Sequence, residues 1–305
     1  MLATAEELRV RVDCSKLAEL GRVHPVRVTL SARRDAECEI VRLKFLRLEH
    51  VPGHEAETPV EEFTLAEGDL RLSRGQSQVY AIQLAIPQDL PPSYAGSFHS
   101  LGYRLVAEAV SAYDLVVGSG ERLLNVSASR SRSGLLQPVR TDPVGLERTY
   151  RGDLLFGLFP VGGVASCSVE LQVPVFRMGT RERQALMLGT RVHGNLRVAA
   201  RRHYREAQLY FGYTLKGGGK TDLVQTGGPI TLPLDAAQSA EFSFSLPDRA
   251  PVNFEGSRLS AAWYLRVDAI DEVGSAHRED FAFSVLPKLT PPDAVPAAQP
   301  APVQA

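Results

Sequence analysis

The side chains in this sequence that could do chemistry are few and poorly grouped. Lys216-Gly217-Gly218-Gly219-Lys220-Thr221 looks like the end of a phosphate-binding loop, but that motif needs a glycine five positions before Gly219, and position 214 is Thr. The run also follows the alternating Leu209, Phe211 and Tyr213, with no helical pattern after it to aim a dipole at phosphate, so a hairpin loop is expected. His50 and His54 stand four apart, which on a helix would place two metal ligands on one face. Pro52 and Gly53 exclude that helix, and the adjacent Glu55 and Glu57 leave at most a weak surface metal site. None of the seven histidines adjoins a nucleophile motif: there is no G-x-S-x-G, no H-E-x-x-H and no C-x-x-C. No catalytic, metal or cofactor-binding residue is assigned, and the chain is read as a non-enzyme without a cofactor, the alternative being a small-ligand binder or an enzyme built on sandwich loops.

Two basic clusters are candidates for partner binding. In the Ser- and Arg-rich stretch 127–133, Arg130 and Arg132 could grip a phosphorylated or acidic partner, the alternative being a solvated linker. Arg201, Arg202 and Arg205 flank His203 and Tyr204 and could touch phosphate groups or simply begin an exposed strand. Globally there is no basic field: Lys+Arg 34 against Asp+Glu 35 gives a net charge of −1, which excludes nucleic acid as the main partner. The expected partner is a protein, recognised locally, with self-association and a peripheral membrane contact left open.

The elements that must carry these residues are strands. In Glu7–Asp13 apolar and charged residues alternate, as a strand with one buried and one wet face requires. The same period recurs at Tyr80, Ile82, Leu84 and Ile86, at Tyr103, Leu105, Ala107 and Ala109, at Leu209–Leu215, and at Phe242, Phe244 and Leu246. Between such runs lie the glycine clusters VPGHEAE (51–57), VGSGE (117–121), KGGGK (216–220) and DEVGS (271–275), read as turns whose glycines supply positive φ. The spacing predicts antiparallel sandwiches. One short helix is expected from Thr141-Asp142-Pro143 toward Arg151, on the strength of a capping residue followed by Pro.

Length, 305 residues with 44% apolar side chains, suggests two domains, and an internal repeat says what they are. Residues 86–109 (IPQDLPPSYAGSFHSLGYRLVAEA) align without gaps to 246–269 (LPDRAPVNFEGSRLSAAWYLRVDA), an offset of 160. The pairs are Pro87 with Pro247, Pro91 with Pro251, Ser93 with Asn253, Tyr94 with Phe254, Gly96 with Gly256, and Tyr103 with Trp263. Pro87 and Pro91 end a strand because proline cannot donate to a ladder; Ser93 or Asn253 closes a side-chain-to-backbone turn; Gly96 or Gly256 permits the reversal; and the ring at 94 or 254 plugs the sandwich end. The fold class is therefore all-β, two tandem immunoglobulin-like sandwiches: 1–130, a connection 131–166, 167–288, and a Pro- and Ala-rich disordered tail 289–305.

This corner resembles the signature of the arrestin-like superfamily, in which each of two tandem β-sandwiches carries a strand, a Leu-Pro-x-Ser-like turn with a following aromatic and Gly, and a strand with a central Tyr or Trp. LPPSYAG is the closer copy; the second has Val252 for Pro and Asn253 for Ser. The resemblance spans about residues 7–287 and implies an adaptor or scaffold, of the bacterial, sporulation-control or retromer cargo-subunit kind. The tail sequence TPPDA lacks the tyrosine of a Pro-Pro-x-Tyr ligase-docking motif, so eukaryotic trafficking roles are not carried over. The first thirteen residues show no secretory signal, and Cys14, Cys38 and Cys167 are odd in number and widely spaced, so a cytoplasmic location is expected.

Overall fold

The computed structural model of the chain describes residues 8–96, 98–128, 136–149, 164–178, 180–200, 203–248, 250–288 and 302–303. Among them there is no helix, and the strands form mainly antiparallel sheets in two compact units. The first unit comprises Met1–Leu135, Gly256–Leu259 and Leu289–Ala305; the second comprises Leu136–Glu255 and Ser260–Lys288.

Nine strands build the first sandwich: β1 (Leu8–Asp13), β2 (Leu17–Glu19), β3 (Val23–Ala32), β4 (Ala36–Val51), β5 (His54–Leu72), β6 (Ser77–Ala85), β7 (Tyr94–Ala95), β8 (Ser100–Val110) and β9 (Val116–Ser127). One sheet runs β1-β3-β6, the other β2-β9-β8-β4-β5 with β7 on β8. Alternation decides the packing: Val10, Val28, Leu30, Tyr80, Leu84, Leu43, Phe45, Tyr103 and Leu105 face one core, while most of their strand neighbours lie on the outer face, partly or fully exposed. The Phe45 and Tyr103 rings stack at 5.4 Å inside it.

The second sandwich repeats this order. Its strands are β10 (Arg140–Thr149), β11 (Val164–Met178), β12 (Arg181–Gln184), β13 (Leu186–Met187), β14 (Arg191–Ala200), β15 (Tyr204–Gly217), β16 (Lys220–Gln225), β17 (Ile230–Pro233), β18 (Ser239–Ser245), β19 (Phe254–Glu255), β20 (Leu259–Asp271), β21 (Ala276–Phe283) and β22 (Val285–Leu286). β11-β14-β18 matches β1-β3-β6, the β15–β16 hairpin matches β4–β5, and β13 beside β22 is a parallel pair like β2 beside β9. Trp263 is fully buried among Tyr213, Phe283 and the Phe211–Phe244 stack.

Three expectations are corrected. The stretch from Thr141 is not a helix but β10, paired antiparallel to β11 from Arg140↔Val175 to Thr149↔Ser166. Val144 and Leu146 pack on the core at period two, and Pro143 costs little because β10 is an edge strand. Within 131–166, read as a connection, residues 140–149 thus supply β10 and 164–166 the start of β11. Second, VGSGE is not a turn: Gly118 and Gly120 lie inside β9, and neither has a positive φ. A Cβ on Gly118 would meet Leu8 O at 2.5 Å and one on Gly120 would meet Val10 O at 2.3 Å, so glycine is there to let β1 cross closely. The turn sits earlier, at Ser111–Leu115, with Asp114 at φ 56°. Third, the tail is strand at β23 (Pro302–Val303), which pairs antiparallel with Val79 and Tyr80 of β6; the rest of 289–305 lies outside the described residues.

Candidate functional site

The repeated corners come first because the sequence singled them out. Tyr103 donates its hydroxyl to Pro91 O at 2.5 Å, and Trp263 donates Nε1–H to Pro251 O at 2.8 Å, the same bond from two different side chains. Ser93 Oγ accepts the Val126 amide at 2.9 Å, and Asn253 Oδ1 accepts the Val285 amide at 2.6 Å. Gly96 and Gly256 each donate their amide three residues on, to His99 O and Leu259 O, both at 2.8 Å. Pro87 and Pro247 follow the last residues of β6 and β18. Two details differ from expectation. Tyr94 and Phe254 are half-buried members of β7 and β19 rather than plugs; the buried rings are Tyr103 and Trp263. Gly256 has no positive φ; a Cβ there would lie 2.3 Å from Glu49 Oε1, within the first unit to which both residues belong. All these bonds are spent on holding the chain.

A second feature of the first unit is not spent this way. A cavity of about 650 Å³ is lined by the end of β4 (Leu48, Glu49, His50), the start of β5 (Glu55, Ala56, Glu57), β7 with β8 (Tyr94, Gly102, Arg104), and the end of β9 (Asn125). Leu101 and Tyr103 point into the core, so Gly102 and Arg104 sit on the opposite, outer face of the sheet. Leu48 pairs with Gly102 on one side and Glu57 on the other, which sets glycine, leucine and carboxylate in a row across three strands. A Cβ on Gly102 would meet nothing within 4 Å: the missing side chain is the hollow.

Charge around the hollow is mostly negative. Arg104 donates to Glu57 and, at 2.7 Å, to Glu121; His50 Nδ1 lies 3.1 Å from Glu55 Oε1. Glu49 is fully buried but satisfied, with Arg47 at 2.8 Å and the amides of Arg258 and Leu259 at 2.8 and 3.1 Å. The wall formed by β5 continues as the edge of its sheet, with Glu55, Glu57, Glu61, Glu62, Glu67 and Asp69 against one Arg71. Register shifts at Cys38/Ile40, Val41/Arg42 and Phe45/Leu46, together with Pro59, break this edge into short runs, the longest intact one beside the hollow.

Of the basic residues proposed from sequence, Arg130, Arg132, Arg201 and Arg202 lie outside the described residues; Arg205 is exposed on β15, 3.5 Å from Glu206. His50 and Glu55 do meet, across the Pro52-Gly53 turn, and among the described residues no group of His, Cys, Asp and Glu is arranged to hold a metal ion. Gly217 to Lys220 is a hairpin, with Gly218 and Gly219 at φ 56° and 73°. The cysteines are free; burial pushes the Cys167 thiol up to about 12 and raises Cys38 as well, so neither is poised as a nucleophile. The residues missed from sequence are Gly102, Leu48, Arg104 and the acidic run of β5. The available signal was a lone glycine inside an otherwise alternating strand, which marks a bulge or an opening.

Against known proteins, no family model and no curated protein sequence matches this chain. Among solved structures it is similar to Spo0M, a sporulation control protein from Bacillus subtilis, at 12% identity and a TM-score of 0.36 over 63% of this chain and 79% of that one.

Proposed function

We propose that this chain is a non-catalytic adaptor of a reducing, cytoplasmic compartment that holds a protein partner on the first sandwich, along the edge of β5 and the sheet face beside it. The observation that carries the reading is β5 itself: nineteen residues, paired on one side by β4, with a row of exposed carboxylates and no bonding partner on its outer edge among the described residues. An extended segment can add to the intact run of this edge beside the hollow through main-chain hydrogen bonds, its side chains giving specificity. Among the described residues the polar groups of the two corners are used to hold the chain, which favours binding over catalysis.

The experiment is affinity capture of the tagged protein from its host lysate, read by quantitative mass spectrometry, with a Glu55→Lys, Glu61→Lys, Glu67→Lys variant alongside. The reading expects one stoichiometric protein, captured by the wild type and lost from the variant. A partner indifferent to these charges, or none at stoichiometry, defeats it.

A further inference from the structure

The hollow floored by Gly102 serves no bond of the fold, and its shape and charge ask for an occupant. We propose that it is a subsite for a cationic side chain, arginine or lysine, of the partner segment; the inference rests on the adaptor reading above and names the chemistry that the face selects. Its volume of about 650 Å³ falls inside the range of roughly 300–1,000 Å³ typical of formed ligand pockets and exceeds what one side chain fills, so flanking backbone is accommodated as well. Leu48 at the floor offers apolar surface to a methylene stem, the way such stems usually lie.

The charge balance fixes the sign. Glu55 and Glu57 line the hollow, Glu57 sharing the Arg104 guanidinium with Glu121 outside the lining and Glu55 facing His50, and the negative charge of Glu49 is already matched by Arg47 and three amides. Two lining carboxylates against one cation that Glu121 also draws on leave an excess that an incoming guanidinium or ammonium would neutralise. Glu55, 81% exposed, is within easy reach of solvent and of a ligand, and its ion-pair partner among the described residues is His50.

The test uses the full chain and two small probes. Amide resonances are followed by two-dimensional NMR during titration with N-acetyl-arginine amide and with N-acetyl-citrulline amide, which has the same shape without the charge. The expected result is saturable shifts at Ala56, Ala95, Leu101 and Gly102 with arginine and binding at least several-fold weaker with citrulline. Glu57→Gln should weaken arginine about two- to fivefold, the scale of one part-exposed ion pair. Gly102→Leu should abolish binding while preserving the melting temperature, since its Cβ enters open space. Equal binding of citrulline overturns the proposal, as does the absence of saturable shifts up to about 20 mM, beyond the millimolar affinity a few contacts supply. If arginine binds here but the captured partner is indifferent to Gly102→Leu, the subsite stands and the adaptor reading fails at this face.

Discussion

Tyr103→Phe isolates a single hydroxyl at the corner of the first sandwich. The ring is fully buried, and phenylalanine keeps its stack on Phe45; what is lost is the O–H donated to Pro91 O. Leaving a buried carbonyl without its donor costs about 1–3 kcal/mol. For a unit of roughly 130 residues, 1 kcal/mol moves the melting temperature by about 3–5 °C, so a fall of about 3–15 °C is expected in calorimetry. The pH dependence is a second check. Burial raises the Tyr103 phenol far above its usual value. Its contribution is therefore complete below the unfolded value of about 10 and is lost as pH rises through the interval toward the folded one. The gap between wild type and variant should be constant from about pH 6 to 9 and narrow above about pH 10, where only the unfolded wild type ionises. Trp263→Phe removes the equivalent bond to Pro251 O and also ring volume, so it should cost more, about 2–4 kcal/mol. A Tyr103→Phe protein that melts within about 1 °C of wild type would show that the corner bond adds nothing to stability, and the reasoning for both corners would fall.

Thiol titration tests the burial of the cysteines: at pH 8 the native chain should expose at most Cys14 to an aromatic disulfide reagent, and in denaturant all three should react. Fewer than three in denaturant would mean a disulfide. Glu108 is pushed up by burial but pulled down further by Lys44 and Arg42, at 2.9 and 2.7 Å, so its carboxyl titrates below the usual range. A depressed folded value contributes stability above about pH 4.3 that is lost as pH falls through the folded value. Glu108→Gln should accordingly lower the melting temperature at pH 7 and differ little from wild type near pH 3; an equal deficit at both would remove the ionic explanation. Gly120→Ala places a Cβ 2.3 Å from Val10 O, a backbone atom that cannot turn aside, and should destabilise by about 1–3 kcal/mol in urea unfolding. An unchanged midpoint would show that β1 crosses β9 less closely than described.

The sandwiches were readable because their information is local and periodic. Val10, Tyr80, Tyr103, Leu209 and Phe244 announce their buried faces by alternation, and the matched prolines at 91 and 251 mark the corners. What failed was punctuation. A glycine has two physical uses, positive φ and the absence of a Cβ, and the letters do not say which. Gly53 and Gly274 serve the first use; Gly118, Gly120 and Gly256 serve the second, and that depends on which strand or carboxylate arrives from far along the chain. Asp142-Pro143 failed likewise: a cap and an edge-strand proline look alike until the neighbour on β11 is known.

The same distinction separates folding from recognition. At the hairpin after β8, Ser111 N bonds Leu115 O at 2.9 Å and Asp114 N bonds Ser111 O at 3.0 Å; after β20, Asp271 N bonds Ser275 O at 3.0 Å and Gly274 N bonds Asp271 O at 3.1 Å. The offset is still 160 and both Asp114 and Gly274 have positive φ, although little side-chain identity remains: backbone geometry has outlasted the letters. On the outer face the opposite holds. One offset from Gly102 and Arg104 stand Ala262 and Tyr264, so the second copy keeps the inward Trp263 but has neither the glycine nor the cation at these two positions. Two copies built on one plan agree at the positions that close the sandwich and part at those that line the trough, which is the pattern expected if the trough answers to something outside the fold.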